Sequence, residues 1–368
     1  MSRLEKRRIG QRTEVSHGFL NLFRYTERDV NSPRRLLVVC LASVAALLVA
    51  AAVVIAPALG APHASLTTGI VDVETSLGYA GGAAAGTGMI LTSSGEVLTN
   101  NHVIRGATQI LVRIPQTGRT YRAQVVGYDI PDDVAVLQLS GASGLRTVSL
   151  GDSSKVRVGQ RIIAVGNTGG QGSLTSATGT VTGLDRTITV SDERGGAARL
   201  RHLIRVNANL RPGDSGGPLF DSSHHVVGMN AAASAELAFR PSGDGYVIPS
   251  NRAASIARQI ESGRASTAVH IGATAFLGVV VQAASPSRGD VATGDLVTLV
   301  RSGSPAARGG LASGDVIVSV AGHAVRSPAG LVGQILRRKP GDKVRVVWVN
   351  QAGSRQAAIV TLASGPPQ

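Results

Sequence analysis

A serine surrounded by glycines is the most chemically specific feature of this 368-residue chain. Ser215 lies in the run Arg-Pro-Gly-Asp-Ser-Gly-Gly-Pro-Leu at residues 211–219. The glycines at 213, 216 and 217 allow backbone conformations closed to other residues and let the backbone approach a substrate carbonyl closely. The N–H groups of Gly213 and Ser215 can then converge on an oxyanion while the serine hydroxyl stays exposed. The pattern predicts a nucleophilic serine with an oxyanion hole formed by Gly213 and Ser215.

A base and an acid that could activate this serine occur upstream of it. His102 is followed along the chain by three acids, Asp129, Asp132 and Asp133, that precede the apolar run Val-Ala-Val-Leu. The order histidine, aspartate, serine is the order found in the two-barrel serine proteases, whereas an α/β-hydrolase esterase places the serine first. The sequence therefore predicts His102 as general base, Ser215 as nucleophile and one of the three acids as the carboxylate that orients the imidazole.

Further motifs extend this pattern over most of the chain. They lie at residues 86–91 (Gly-Thr-Gly-Met-Ile-Leu), 97–104 (Val-Leu-Thr-Asn-Asn-His-Val-Ile), 133–137 (Asp-Val-Ala-Val-Leu), 213–219, 276–279 (Phe-Leu-Gly-Val) and 303–317. Together they resemble the HtrA/DegP-type serine proteases, which are membrane-anchored or periplasmic and carry a C-terminal PDZ domain. The resemblance implies that Asp133 is the triad carboxylate, because it directly precedes the Val-Ala-Val-Leu strand.

The same resemblance implies a serine endopeptidase that cleaves misfolded or specific extracytoplasmic proteins through an acyl-enzyme, with peptide binding at the PDZ domain regulating it. The residues implied to line the substrate pocket are Asn209, Leu210, Met229, Asn230 and Ala231. None of these is acidic, so we expect cleavage after small or medium apolar residues rather than after lysine or arginine. The rival interpretation is a non-proteolytic chaperone or scaffold with a latent triad.

The PDZ domain is implied to bind C-terminal peptides. Backbone N–H groups of Leu277, Gly278 and Val279 would hold the terminal carboxylate while the peptide pairs with a strand edge. Gly278 would be needed because a side chain there would block the peptide. The family is commonly trimeric, so a homotrimer is one expectation. No metal or cofactor signature is present, and no nucleic-acid motif accompanies the net charge of +14.

Asp214 departs from most bacterial relatives of this type, which carry asparagine directly before the serine. The digestive proteases pair an aspartate at this position with an N-terminal ammonium. Because an unpaired buried carboxylate is costly, we expect Asp214 to be solvated or paired with an arginine, with Arg211 and Arg186 as candidates.

The N-terminal region predicts a membrane anchor. Residues 1–35 carry nine Lys/Arg against four Asp/Glu, and residues 36–56 contain no charge. Twenty-one helical residues span roughly 31 Å, close to the hydrocarbon core of a bilayer. The positive-inside rule then predicts a cytoplasmic N-terminus, contact with membrane lipid, and extracytoplasmic protease and PDZ domains. Cleavage near Ala58 or Ala61 is the alternative. Cys40, the only cysteine, lies inside this apolar run.

The remaining sequence predicts a mostly β fold. It comprises a linker (57–82), a chymotrypsin-like double β-barrel protease domain (83–263), a hinge (264–271) and an α+β PDZ domain (272–365). The predicted barrel strands lie at residues 88–91, 96–99, 110–114, 122–128, 134–139, 161–165, 179–184, 203–206, 226–229 and 246–248. The predicted PDZ elements are strands at residues 277–281, 296–300, 316–320 and 344–349 and a helix at 329–338. A helix capped by Ser250, with Ala253, Ile256, Ala257 and Ile260 on one face, would close the protease domain.

Overall fold

The computed structural model describes residues 64–79, 81–191, 197–231, 243–284 and 293–368. The basic tail and the apolar run 36–56 lie outside these residues, as does the expected transmembrane helix. Among the residues that are described, no helix has the length and apolar character needed to cross a bilayer.

Two barrels make up the first part of the described chain. Their strands are β1 (Ile70–Ser76), β2 (Ala83–Ile90), β3 (Glu96–Thr99), β4 (Gln109–Arg113), β5 (Thr120–Asp129), β6 (Val134–Leu139), β7 (Arg161–Gly166), β8 (Thr175–Ser191), β9 (Ala197–Val206), β10 (Pro218–Phe220), β11 (Val226–Asn230), β12 (Gly245–Pro249) and β13 (Val269–Ile271). The first sheet has the order β13-β5-β4-β1-β2-β3-β6 and is closed by pairing of β5 with β6. The second is a closed barrel of order β10-β11-β12-β9-β8-β7. Closure leaves neither barrel with the long unpaired edges of an open sheet.

The third sheet follows these barrels. Its strands, with two that pair separately, are β14 (Thr274–Phe276), β15 (Val279–Ala283), β16 (Asp295–Val300), β17 (Val316–Val320), β18 (His323–Ala324), β19 (Lys343–Val349), β20 (Arg355–Thr361) and β21 (Ala363–Gly365). The sheet order is β15-β16-β17-β19-β20, with β18 on β17, and β14 pairs with β21. The helices are α1 (Ala64–Thr67), α2 (Asn101–Ile104), α3 (Ser250–Glu261), α4 (Pro305–Arg308) and α5 (Pro328–Leu336), with 3₁₀ turns at Ser153–Lys155 and Thr168–Gly170.

Apolar side chains fill each unit. In the first barrel the fully buried side chains include Val73, Tyr128 and Leu137, and β4 alternates half-buried and buried residues as a strand with one face on a core should. Helix α3 buries Ala253, Ile256, Ala257 and Ile260, the predicted apolar face, against strands of both barrels. The helix therefore stabilises the relative positions of the barrels, and with them the residues each contributes to the site.

Two segments expected to be connectors belong to the first barrel. Strand β1 lies inside the predicted linker, where it pairs with both β2 and β4. Strand β13 lies inside the predicted hinge and pairs with β5. Both contain β-branched residues, which favour strands. The many glycine, alanine and serine residues around them led us to expect connectors instead.

The helix that closes the barrels begins differently from the expectation. Ser250 is its first helical residue, and the N-cap position belongs to Pro249. The Ser250 hydroxyl donates to the carbonyl of Gly151 at 2.7 Å, so it ties the helix to the loop between the barrels instead of capping it.

The last described residues return to the first barrel. Gly106 N–H donates to the Pro367 carbonyl at 2.8 Å, and the Asn101 side-chain amide donates to the Gln368 carbonyl at 3.0 Å. Asn101 begins α2, so the segment after β21 contacts the helix that carries His102.

Candidate active site

The imidazole of His102 is held by Asp133 at two points. Nδ1 of His102 lies 2.7 Å from Oδ2 of Asp133, and the His102 backbone N–H donates to Oδ1 at 2.8 Å. Both oxygens of one carboxylate therefore engage one residue, which restrains the orientation of the ring. With Nδ1 donating to the carboxylate, Nε2 is left as the nitrogen that can accept a proton.

A short helix and a strained turn bring these two residues together. His102 lies in α2, directly after β3, and Asp133 lies in the turn between β5 and β6. Asp133 has φ of 55°, an uncommon conformation for a non-glycine residue. Its carbonyl accepts the Asn100 side-chain amide at 2.9 Å and the Asn101 backbone N–H at 3.2 Å. These contacts attach the turn to the start of α2 and stabilise the unusual backbone.

The two neighbouring acids have other contacts. Asp132 binds Arg252 of α3 through both oxygens, at 2.7 Å to Nε and 2.6 Å to Nη2. Asp129 accepts the Asp132 backbone N–H at 2.9 Å. Of the three acids left open by the residue pattern, Asp133 is thus the one that contacts His102.

Burial and charge act in opposite directions on His102. Burial lowers the pKa of the imidazole, but the negative charge of Asp133 and its hydrogen bond raise it, and the net result is a pKa above the ordinary value. Arg105 opposes the rise. The side chain remains 43% exposed, so a substrate can approach it. The carboxylate thus favours the imidazolium that would form when the ring accepts a proton.

The glycines around Ser215 are required by close backbone contacts. A Cβ on Gly213 would lie 2.1 Å from the Asn167 carbonyl oxygen, and one on Gly216 would lie 2.1 Å from that of Thr87. Both glycines also have positive φ, 97° and 84°. Ser215 as a whole residue is only 4% exposed. The structure therefore encloses it more than an exposed serine hydroxyl would lead one to expect.

Strand β2 of the first barrel bridges the two halves of the site. Thr87 N–H donates to the Ser215 carbonyl at 2.8 Å. A Cβ on the adjacent Gly86 would lie 2.7 Å from a methyl of Val103 and 3.2 Å from the Ser215 carbonyl. Val103 directly follows His102, so Ser215 and the His102 helix both pack on the same point of β2.

The backbone around Gly213 and Ser215 orients both predicted oxyanion donors. The Pro212 carbonyl accepts Gly169 N–H at 2.8 Å, and the Asp214 carbonyl accepts Gly217 N–H at 3.0 Å. In a trans peptide the N–H points away from the C=O. The N–H groups of Gly213 and Ser215 therefore point away from these anchored carbonyls, and within the described chain no acceptor takes the Gly213 N–H.

A hydroxyl that the residue pattern did not single out supports this turn. Thr87 Oγ1 donates to the Gly213 carbonyl at 2.7 Å and accepts Asn167 N–H at 2.8 Å. Thr87 lies in the Gly-Thr-Gly segment, so the signal was present in the sequence, but its spatial partner was not apparent.

Asp214 is neither solvated nor ion-paired, contrary to expectation. It is 5% exposed, and in the described part of the chain no arginine or lysine nitrogen lies within ion-pair distance. Its carboxylate accepts the Thr168 hydroxyl and the Arg211 backbone N–H instead. Burial raises the pKa of this carboxyl, and the two hydrogen bonds and the charge of Arg211 only partly offset the rise.

Four of the five predicted pocket residues, Leu210, Met229, Asn230 and Ala231, are buried, and Asn209 is exposed. Leu210 and Met229 are buried in the apolar cores of the second barrel and of the α3 interface, so their side chains are not accessible from a cleft in this structure. The Asn230 amide donates to the Val165 and Pro218 carbonyls, both at 3.3 Å, and Ala231 N–H donates to the Tyr246 carbonyl. Asn209 has φ of 50° in the approach to the serine turn.

The predicted carboxylate-binding residues precede and begin β15. Gly278 has φ of 90°, and a Cβ there would lie 2.1 Å from that of Ser304. The glycine is thus required by Ser304, not only by an incoming peptide as we expected. Leu277 is buried, and Val279 begins β15, an edge strand of its sheet.

Comparisons with known proteins agree with this architecture. Residues 86–229 match the trypsin-like peptidase domain and residues 296–350 match the PDZ domain. The chain is 32% identical over 315 residues to the serine protease PepD of Mycobacterium tuberculosis, covering 81% of this chain and 64% of PepD. It is 35% identical over 269 residues to the periplasmic pH-dependent serine endoprotease DegQ of Escherichia coli, covering 71% of this chain and 55% of DegQ.

The solved structure of the HtrA-type protease AlgW with tripeptide is 28% identical and has a TM-score of 0.46, covering 83% of this chain and 99% of AlgW. The chain spans less than two thirds of the length of PepD and of DegQ. It combines a trypsin-like peptidase domain with a PDZ domain and is a homologue of the HtrA/DegP serine proteases.

Proposed function

We propose that the protein is a serine endopeptidase of the HtrA type, with Ser215 as nucleophile, His102 as general base and then acid, and Asp133 as the orienting carboxylate. The two-point contact between His102 and Asp133 carries this assignment. The relatives named as serine proteases support it.

The arrangement suggests the following acyl-transfer mechanism. The Ser215 hydroxyl attacks the scissile carbonyl carbon while His102 takes its proton, and Asp133 stabilises the imidazolium. The N–H groups of Gly213 and Ser215 stabilise the oxyanion that develops. His102 then protonates the amine as the C–N bond breaks. In the second half His102 takes a proton from a water that attacks the acyl-enzyme, and returns it to the Ser215 oxygen as the ester bond breaks.

The proposed substrates are polypeptides, above all unfolded ones that display apolar residues. The pocket assigned from the sequence contains no acid at Asn209, Leu210, Met229, Asn230 or Ala231, which favours a small or medium apolar residue at the cleaved bond. Because Leu210 and Met229 are buried in cores, their contribution would be to shape the pocket from behind its surface.

C-terminal peptides are the proposed regulatory ligands of the PDZ domain. Strand β15 is at the edge of its sheet, so a peptide could add to it while the backbone of Leu277, Gly278 and Val279 holds its carboxylate. Residues 36–56 would anchor the protein in a membrane with both folded domains on the extracytoplasmic side. The relative described as periplasmic supports the extracytoplasmic location. A homotrimer is part of the proposal on the family resemblance alone.

The decisive experiment is labelling by a fluorophosphonate probe, combined with digestion of an unfolded protein such as reduced casein. We expect the wild-type protein to be labelled on Ser215 and to degrade casein. Ser215→Ala should lose both activities, and His102→Ala should lose nearly all of both. A folded wild-type protein that neither reacts nor digests, yet prevents aggregation of casein, would instead establish the scaffold interpretation.

A further inference from the structure

The buried carboxylate of Asp214 depends on one side-chain hydroxyl. Its Oδ1 accepts the Thr168 hydroxyl at 2.7 Å, and its Oδ2 accepts Arg211 N–H at 2.8 Å. The Thr168 oxygen also lies 2.5 Å from the Thr175 hydroxyl. Because the single hydroxyl proton of Thr168 goes to the carboxylate, Thr175 must be the donor in the second contact. The three side chains thus form a directed chain of hydrogen bonds that ends on Asp214.

This chain joins two segments that are far apart in sequence. We call residues 167–175 the anchor loop and residues 211–215 the oxyanion loop. Besides the Thr168 contact, Gly169 N–H donates to the Pro212 carbonyl at 2.8 Å. A Cβ on Gly166, next to the anchor loop, would lie 2.6 Å from the Asp214 Cα, so the two segments are in direct contact. A shift of either loop must therefore move the other.

We propose that Thr168 is a positioning residue for the oxyanion hole: its hydrogen bond to Asp214 holds the oxyanion loop on the anchor loop, with the Gly213 and Ser215 N–H groups facing the substrate. Asp214 lies between these two donors in the chain. Its carboxylate also accepts the Arg211 backbone N–H, so its hydrogen bond to Thr168 joins the backbone of the oxyanion loop to the anchor loop. This inference rests on the proposed function and extends it to a residue outside the triad.

The absence of a charged partner makes this hydrogen bond important. In the described residues the carboxylate has no cation within ion-pair distance, and burial raises its pKa. Its burial is therefore compensated mainly by two hydrogen bonds to neutral groups, since the charge of Arg211 acts without a direct ion pair. Loss of one partner of a buried polar group costs more than the bond itself contributes, because the group is left desolvated. Without Thr168, the carboxylate is expected to turn toward water and carry the oxyanion loop with it.

The test replaces Thr168 in the full-length protein. Thr168→Val removes the hydroxyl at nearly constant volume, Thr168→Ser retains it, and Thr178→Val changes an exposed threonine of β8. We expect Thr168→Val to lower kcat on a fluorogenic peptide about 10- to 100-fold with KM changed less than about threefold, because only transition-state stabilisation is lost. Thr168→Ser and Thr178→Val should keep kcat within about threefold of wild type.

A double-substitution cycle shows whether Thr168 acts through Asp214. In an Asp214→Ala background, Thr168→Val should reduce kcat by less than about twofold, because the partner is already absent. This comparison remains informative if Thr168→Val lowers stability, since melting temperature and kcat are measured on the same samples. If the fold-losses in kcat of Thr168→Val and Asp214→Ala multiply in the double variant, the two residues act independently and the proposal is overturned.

Two other results would also overturn it: a Thr168→Val kcat within twofold of wild type, or a Thr168→Ser enzyme as slow as Thr168→Val. A wild-type protein that is neither labelled by the fluorophosphonate probe nor active on peptides would reject the proposed function itself, and this inference with it.

Discussion

The ring of Tyr79 stacks on the ring of Phe276, with 5.3 Å between their centroids and 5° between their planes. Tyr79 lies between β1 and β2 of the first barrel, whereas Phe276 directly precedes Leu277-Gly278-Val279. The Arg301 guanidinium lies 4.5 Å from the Tyr79 centroid and donates to the Tyr79 carbonyl. Arg301 N–H in turn donates to the Gly278 carbonyl at 2.9 Å. One aromatic side chain thus connects the first barrel with the proposed carboxylate-binding loop.

Removing the Tyr79 ring should weaken the effect that peptide binding at the PDZ domain has on the rate of the peptidase domain. Aromatic and cation–π contacts of this kind each contribute about 0.5–1.5 kcal/mol. We expect Tyr79→Ala to reduce at least threefold the change in peptidase rate caused by a saturating C-terminal peptide, while peptide affinity changes less. Rates and fluorescence anisotropy measure the two effects. Tyr79→Phe, which keeps the ring, is the matched control, and equal behaviour of the two variants would contradict the expectation.

Replacement of Asp133 should affect both catalysis and the titration of His102. Asp133→Asn is expected to lower kcat by about 10⁴-fold, because the amide favours the wrong imidazole tautomer. It should also lower the pKa of His102, since the charge and hydrogen bond of Asp133 are what raise it. Imidazole NMR titration of the wild type and the variant measures this shift directly.

The same pair has a consequence for stability with a defined sign. A histidine whose pKa is raised on folding stabilises the fold below its unfolded pKa of about 6.5, and this contribution is lost as the pH rises through the folded value. The difference in free energy of unfolding between wild type and Asp133→Asn should therefore be larger at pH 5.5 than at pH 9. A difference that grows toward alkaline pH would contradict the assignment of the raised pKa to this contact.

Asp295 should destabilise the PDZ domain when it is ionised. The residue is fully buried at the start of β16, and neither carboxylate oxygen has a hydrogen-bond partner among the described residues. Burial raises its pKa from 3.8 to about 6. A raised carboxyl pKa means that stability is greatest below the unfolded value and is lost as the pH rises through about 6.

The expected loss is on the order of 2 kcal/mol between pH 4 and pH 8. Asp295→Asn cannot ionise, so its stability should vary less over this range and exceed that of wild type more at pH 8 than at pH 4. Urea unfolding at both pH values measures the difference. Asp244→Asn, at a half-exposed site, controls for the change in net charge. Identical pH dependence in wild type and Asp295→Asn would exclude the buried carboxyl as its source.

The strand pattern of this chain was largely predictable because short apolar runs were separated by glycine-rich turns. Residues 96–99 and 134–139 match β3 and β6 at both ends. Strand β1 was missed because its run Ile-Val-Asp-Val-Glu-Thr-Ser includes acids and follows a segment rich in small residues. Asp72 within it is buried without a hydrogen-bond partner among the described residues, which an alternating pattern does not reveal.

The site was predictable to the extent that its motifs are local. His102, Asp133 and the turn around Ser215 each carry their own sequence signal. The contacts that position them are long-range: Asp132 with Arg252, Thr87 with Gly213, and Thr168 with Asp214 join residues 120, 126 and 46 positions apart, respectively. Nothing in the positions of Thr87 and Thr168 along the sequence indicates which groups their hydroxyls will bond, so the surroundings of Asp214 could not be inferred without the fold.

Gly213 provides the strictest steric test of the oxyanion loop. Gly213→Ala would place a methyl group 2.1 Å from the Asn167 carbonyl, at a backbone φ of 97° that alanine rarely adopts. The loop must move away from the anchor loop, and the Gly213 N–H moves with it. Because loss of one oxyanion donor costs about 10²–10³-fold in kcat, we expect a loss of at least 10²-fold in steady-state assays.

Gly118→Ala separates the two causes of that loss. Gly118 also has positive φ, 69°, but no atom lies within 4 Å of its Cβ position. This control should lose about 1 kcal/mol of stability from backbone strain and keep wild-type kcat. If Gly213→Ala also retained kcat within tenfold while remaining folded, the close contact with Asn167 would not be what orients the Gly213 N–H, and the oxyanion hole would have to be assigned elsewhere.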